Sequence, residues 1–471
     1  MSLSALDSIH SEPVESRIRL LLAAPEDQWF DRKSARIAPR DLAQTLVAFA
    51  NAEGGTVAVG LHDGDYDGDR LTPEAENALR QTALDFTTPP VRADVERLDL
   101  GQSRSILLIT VRPGEQVYET HRGDCYLRVG DESRKLTYSQ RRELAYDRGA
   151  AQFEAEPAPG ADISDVDPSQ LTAYRTAIGA SADDLTALQA RSLVTRHREL
   201  NVAGLLLLGS HPQASFPQAV VRVLGYAERE AGTGSRQSLE SGKDRRFEGP
   251  IPEIIDAAAD CVDTWMPKRR ALGASRRFED LPLLPRDVWL EGLVNAVVHR
   301  SYSMAGDHIR VSIFPDRLEI ESPGRFPGLA DPTNPLGIAR YARNPRIARV
   351  CSDLGITLER GEGIKRMFEE MRELGLVDPS YEQTAGSVKL TLAAAERLDP
   401  QIQSQLPHGA EHLLQILRSH GKPMGTGELI DASGRSRPWV RDVMSTLRDA
   451  GVVTWSGKSP QDPRATWHLE V

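Results

Sequence analysis

The chain has 471 residues, 40% hydrophobic and 27% charged, with a formal net charge of -11. That length calls for two to four domains, and the acidic balance excludes a wholesale basic footprint for nucleic acid, leaving only local patches. Three scattered cysteines, Cys125, Cys261 and Cys351, exclude a disulfide framework and a zinc finger. The opening "MSLSALDSIHSEPVESR" has neither a charged n-region nor an apolar h-region, and the longest apolar run, "VAGLLLLG" at 202–209, is too short to span a bilayer. The expectation is a soluble cytoplasmic protein with no membrane partner.

Along the chain, 14–24 reads as helix, and "DLAQTLVAFANAEG" (41–54) as a second helix stopping at Gly54. "GTVAVGLHD", "SILLITVRP" and "DCYLRVGD" read as strands, and "TYSQRRELAYDR" as a closing helix, making 1–148 a mixed α/β unit. Residues 149–168 are rich in Ala, Pro, Gly and acid and are predicted as a linker. In 169–395, "AGLLLLGS", "AVVRVLGY", "IRVSIFPDRLEIES" and "SVKLTLAA" read as strands. "GPIPEIIDAAADCVDTWM", "RDVWLEGLVNAVVHR" and "GEGIKRMFEEMRELG" read as helices, and the polar 228–250 as a long loop or loose hairpin. A second linker covers 396–410. The block 411–471 reads helix, helix, helix and two strands, the order of a winged helix-turn-helix. The predicted fold class is α/β and α+β, multidomain.

Chemistry gathers in three places. In the first block, Glu26, Asp31 and Asp63 can converge as oxygen ligands for Mg²⁺ or Mn²⁺, polarising a phosphodiester. Arg32, Lys33, Arg36 and Arg40 beside them suit a phosphate backbone. The competing reading is a solvated strand edge with surface ion pairs. In the central block, Glu291, Asn295 and His299 recur at every fourth position and share a helical face. Downstream, "IESPGRFPG" turns on Gly324 and Gly328, and "RGEGIKRM" opens a helix with Gly361 and Gly363. Glycines at a helix N-terminus let backbone N–H groups approach a phosphate. In the last block, Arg435, Arg437 and Arg441 cluster around Trp439 at the start of a recognition helix. Residues 409–471 carry eight Lys/Arg against seven Asp/Glu, so a protein–protein role competes with DNA binding there.

Family resemblance sharpens two of these. "WFDRKSA", "LVAFANAEGGTVAVGLHDG" and "CYLRVGDESRKLT" resemble the AlbA-like domain of schlafen proteins. The resemblance implies that Glu26, Asp31 and Asp63 stand for the schlafen nuclease triad, with Lys33 beside them and with Asp31 where the pattern has Glu. "EGLVNAVVHRSY", "DRLEIESPG", "RNPRIARV" and "ERGEGIKRM" resemble the GHKL (Bergerat-type) ATPases, an α/β sandwich, over about 190–395. That implies Glu291 as general base, and Asn295 as the ligand of Mg²⁺ bound with ATP, with His299 at the pocket. Ser322 stands at the family's adenine-reading Asp, and Gly324 under the adenine. Arg343, Asn344 and Arg346 fall on the lid, and Gly361, Gly363 and Ile364 on the phosphate-side helix. Together these predict an ATP-binding regulator whose partner is DNA or RNA, dimeric by analogy. The alternatives are an ATP-gated, metal-dependent nuclease of tRNA or single strands acting in phage defence, and a scaffold with inactive sites.

Overall fold

The computed structural model describes residues 9–10, 12–62, 64–179, 183–195, 197–272, 278–326, 335–337, 341–357, 362–384, 386–395, 410, 413–414, 416–417, 423–457 and 465–469. The chain divides into two compact units, the first mainly 1–152 and the second mainly 153–325 with 344–471; residues 341–343 belong to the first.

The first unit is built on a four-stranded sheet. Its order is Phe30–Lys33, Gly55–Val59, Arg104–Val111, Ala93–Gly101, with only the first pair parallel. The strand Gly55–Val59 is buried along its whole length because apolar clusters cover both faces. On one face lies the helix Pro39–Asn51, started by a proline and an acidic first turn. It buries Leu42, Leu46 and Phe49 against Val57, Leu107 and Ile109. Asn51 ends it fully buried: its amide donates to the Tyr118 and Tyr126 carbonyls at 2.8 and 2.9 Å and accepts from the Tyr118 N–H. Gly54 then turns the chain at φ +81°, where a Cβ would sit 2.7 Å from the Val111 carbonyl oxygen, so no other residue fits. The helix Pro73–Asp85 and the edge strand Ala93–Gly101 are among the elements that escape the sequence reading. The helix buries only Leu79, Thr82 and Ala83, and the strand's alternation of apolar and charged residues changes phase at Arg97–Leu98, so neither carries a strong apolar period.

The second unit holds a six-stranded sheet. Its order is Leu239–Phe247, Val221–Tyr226, Ile309–Ile313, Arg317–Pro323, Ser387–Ala393, Ser380–Gln383. Val221–Tyr226 and Ile309–Ile313 run parallel, and every other pair is antiparallel. The helices Ile251–Trp265 and Arg286–Val298 pack on this sheet, and the helix Gly363–Glu373 packs on the latter. Val223, Val311, Ile320, Leu390 and Leu392 point into the shared core with Trp289, Leu293, Met367 and Met371. Strand register places a charged row, Arg246, Arg222, Arg310, Glu321, Lys389 and Glu382, on the alternate positions.

Two expectations are corrected. Residues 203–210, expected as a strand, fall largely in the helix Val202–Leu208. All seven residues are buried, so the helix shows no apolar stripe, and the Asn201 side chain caps it by accepting from the Gly204 N–H at 2.9 Å. Residues 149–168, expected as a linker, contain the turn Phe153–Ala155 and the strand Pro157–Asp162, which pairs with Glu199–Asn201. The polar stretch 228–250 is a hairpin arm, with Leu239–Phe247 paired antiparallel to Val221–Tyr226.

At the C-terminal end, the helix Thr426–Ser433 stops at Gly434 in the left-handed conformation, and Arg437–Asp449 follows. The strands Met424–Gly425, Thr466–Leu469 and Val453–Ser456 make a small antiparallel sheet. Val440, Val443, Met444 and Leu447 bury one face of the second helix with Leu429, Val453 and Trp467. The second expected linker, except Ala410, and much of the first expected helix of this block lie outside the described residues.

Candidate functional site

The helix Arg286–Val298 is seated hard on the sheet. Gly292 is its close-contact point, since a Cβ there would come 2.6 Å from the Leu390 side chain. Trp289 and Leu293 are buried beside it, which turns Glu291 and Asn295 toward the helix Gly363–Glu373. Asn295 Nδ2 donates to Glu291 Oε1 at 2.9 Å, and Arg366 Nη2 lies 3.4 Å from Glu291 Oε2. The Glu291 carboxylate rests against Gly363, where a Cβ would overlap it. Gly363 opens its helix after Glu362, which gives no side-chain cap. The helix therefore presents an uncapped N-terminus to the face that carries Glu291. Tyr381 stands nearby; burial and then the Glu291 charge push its phenol above the usual range.

These residues fit a magnesium-bound nucleotide phosphate. With Nδ2 turned to Glu291, Asn295 presents its amide oxygen, a hard ligand suited to Mg²⁺. Glu291 supplies a proton-accepting carboxylate one helical turn away. Ile364 is the half-buried second residue of the phosphate-side helix, and Gly361 lies outside the described residues.

The residues expected on an adenine side are tied into the sheet and its neighbouring helix. The Ser322 hydroxyl donates to the Ala296 carbonyl at 2.8 Å, tying strand to helix. Gly324 takes φ +117° and gives its N–H to the Gly386 carbonyl at 2.9 Å. Next to Ser322, Glu321 pairs with Arg310 at 2.8 Å and accepts from the Ser387 hydroxyl at 2.7 Å. Burial pushes the Glu321 carboxyl up, but these partners outweigh it and hold the carboxyl below its usual range.

The expected lid residues do structural work. Asn344 is buried and donates to the Val298 and Arg300 carbonyls at 2.8 and 2.9 Å, closing the end of the Arg286–Val298 helix. Arg343, in the first unit, is buried with its guanidinium 2.8 Å from the Asp147 carboxylate. Arg346 opens the helix Pro345–Asp353, whose Arg346 and Ile347 N–H groups donate to the fully buried Glu154 carboxylate at 2.7 and 3.0 Å. His299 is the half-buried C-cap of its helix, its N–H bonded to the Asn295 carbonyl at 2.9 Å.

In the first unit a cleft of about 440 Å³ is lined by Glu26, Arg32, Lys33, Ser34, Arg36, Ile37, His62 and Gly64. Asp31, expected as a metal ligand here, is 1% exposed. Its oxygens accept from Lys33 Nζ at 2.6 Å and Arg128 Nη1 at 2.9 Å. Both Asp31 oxygens are thus engaged in ion pairs, which a metal would have to share or displace. Glu26 accepts from the Arg32 N–H at 3.1 Å and faces the Arg32 guanidinium at 3.6 Å. Asp63 lies outside the described residues, and among those described no His/Cys/Asp/Glu cluster is arranged to hold a metal. Of the expected phosphate-binding arginines, Arg36 and Arg40 are exposed, whereas Arg32 is partly buried and donates to the Leu22 carbonyl at 2.7 Å.

Arg437 and Arg441 are exposed on the helix Arg437–Asp449, and Arg435 stacks over the Trp439 ring with its guanidinium 5.1 Å from the centroid. Two residues of these sites were not anticipated. Arg366 had a legible signal, standing one helical turn past Gly363. Arg128 had none, since nothing in "CYLRVGD" distinguishes a buried arginine from a strand's solvent-facing one.

Among known families, the schlafen AlbA_2 model matches residues 26–137. The HATPase_c_4 model, "Putative ATP-dependent DNA helicase recG C-terminal", matches residues 306–392. The latter match begins beyond the helix that carries Glu291 and Asn295. Among solved structures, the chain is similar to the DIP2311 protein from Corynebacterium diphtheriae, at 21% identity over 99% of this chain and 97% of that one, with a TM-score of 0.42. None of the curated proteins matches this chain. Among the described residues no helix is long and apolar enough to cross a membrane.

Proposed function

We propose that this chain, which joins a schlafen AlbA_2-type domain to an HATPase_c_4-type domain, is an ATP-responsive nucleic-acid-binding regulator. The observation that carries the reading is the Glu291–Asn295 pair, one helical turn apart, facing the glycine that opens the neighbouring helix. Asn295 would hold Mg²⁺ bound with ATP, and Glu291 would orient and deprotonate water. Bound Mg-ATP supplies the phosphoanhydride and its charge-neutralising cation. Nucleic acid would meet Arg36 and Arg40 in the first unit, and Arg435, Arg437 and Arg441 on the C-terminal helix pair, read as a winged helix. Nucleotide then alters nucleic-acid affinity only by binding two conformations unequally, and the effect is reciprocal.

The test is thermal denaturation with Mg-ATP, for the wild type and Asn295→Ala, alongside duplex-DNA binding by anisotropy. The expected result is a stabilisation by ATP that Asn295→Ala reduces, and a DNA affinity that changes when ATP is present. A melting temperature indifferent to millimolar ATP would remove nucleotide from the reading. The alternative, a metal-dependent nuclease built on Glu26, Asp31 and Asp63, is opposed by the two cations that occupy Asp31.

A further inference from the structure

We propose that Arg366 is the residue that distinguishes a nucleoside triphosphate from a diphosphate, through a displaceable pair with Glu291; this rests on the nucleotide reading above. Glu291 lies beside the donors that would recognise a terminal phosphate. Its carboxylate lies against Gly363, at a helix N-terminus without a side-chain cap. Its second oxygen faces Arg366, one turn into the same helix. Helix N-termini and arginines both attract phosphate oxygens. The carboxylate is thus an internal anion using donors that suit a phosphate.

The pair is made to be exchanged. Arg366 reaches Glu291 through a single 3.4 Å contact, and its side chain is 43% exposed. Its Nε lies 3.8 Å from Glu370 Oε1, so a second carboxylate holds the guanidinium in place without neutralising it in a buried setting. Asn295 Nδ2 keeps its own 2.9 Å bond to Glu291 and so fixes the carboxylate when Arg366 leaves. A terminal phosphate carries more charge and more acceptor oxygens than a carboxylate, and it competes for the guanidinium. When Arg366 moves to it, the second Glu291 oxygen is released from the guanidinium and is free to take a hydrogen bond from water. A diphosphate lacks that group and leaves Arg366 on Glu291. The base is therefore restrained until the phosphate to be removed is in place.

Calorimetric titration of full-length wild type, Arg366→Ala, Arg366→Lys and Glu291→Ala with Mg-ATP and Mg-ADP tests this. Arg366 is exposed, so its replacement leaves the fold intact. The wild type should bind ATP at least about tenfold more tightly than ADP, the ratio one charge-assisted hydrogen bond supplies. Arg366→Ala should bring the ratio close to one with ADP affinity unchanged, and Arg366→Lys should restore part of it. Glu291→Ala, lacking the internal anion, should bind both nucleotides at least as tightly as wild type. A preference for ATP that survives in Arg366→Ala overturns the inference and leaves the nucleotide site standing, as does a wild type that binds both nucleotides equally. A wild type that binds neither nucleotide overturns the site and the inference together.

Discussion

Replacing Arg128 with Met tests the claim that Asp31 serves the fold and not a metal. Arg128 is 1% exposed. It donates to the Asp27 carbonyl at 3.0 Å, the Phe30 carbonyl at 3.1 Å and the Asp31 carboxylate at 2.9 Å. Its guanidinium also lies 5.0 Å from the centre of the Phe49 ring. Met keeps most of the stem's volume and removes every donor. Breaking one side of a buried ion pair costs about 3–5 kcal/mol, because the remaining charge loses its compensation. Lys33 stays on Asp31, which places the expected loss near the lower end, about 3 kcal/mol. For a unit of this size that corresponds to roughly 6–12 °C in melting temperature, a large part of the 5–15 kcal/mol that typically holds a domain together. Hydrogen exchange of the strands Phe30–Lys33 and Gly55–Val59 reads the effect locally, without assuming that the full chain unfolds in one step. Asp31→Asn added to Arg128→Met should recover part of the loss, since the orphaned charge goes with it. A loss under about 1 kcal/mol, or a double variant no better than the single, would refute the reasoning.

Three other outcomes are expected. Gly363→Ala should change stability by less than about 1 kcal/mol, because the overlapped atoms are the far end of the flexible Glu291 side chain and Ala is the better helix former; Mg-ATP turnover should nevertheless fall steeply, and unchanged turnover would show that Glu291 need not sit on Gly363. Glu154 is buried, and desolvation raises its carboxyl above the ordinary 4.5. The folded state therefore holds the proton more tightly than the unfolded one, and stability falls as pH rises from 4.5 through the raised value. Glu154→Gln should cost about 1–3 kcal/mol through a mismatched N–H partner yet flatten that slope; urea titrations with equal slopes for both proteins would refute this. Finally, the paired Asp31 predicts no Mn²⁺- or Mg²⁺-dependent cleavage of tRNA or single strands, and cleavage abolished by Asp63→Asn would restore the nuclease reading.

What was legible in the sequence follows from where periodicity exists. Helices with one buried face, such as Ile251–Trp265, and strands with one, such as Ile309–Ile313, announce themselves. Val202–Leu208 does not, because burial on all sides erases the stripe, and only the Asn201 cap marks it as helical. The Glu291–Asn295 line was visible because one turn of spacing is a local quantity. What Arg343, Asn344 and Asp31 do was not visible, because Asp147, the Val298 and Arg300 carbonyls and Arg128 meet them only through the fold. Ser322 illustrates the same limit: its place in the motif could be read, but its bond to the Ala296 carbonyl could not.

The parallel pairing of Val221–Tyr226 with Ile309–Ile313 has a consequence for how the protein is made. Val221 meets Ile309 only after the helices Ile251–Trp265 and Arg286–Val298 have been synthesised between them. Until then Val221–Tyr226 can pair only with its hairpin partner Leu239–Phe247, and its other edge is open. Such non-local pairing makes folding slow and exposes a sticky edge on the ribosome. Lys243, Asp244, Arg245 and Arg246 on the hairpin partner then act as gatekeepers at the opposite edge, discouraging nascent chains from adding to one another before the sheet is complete.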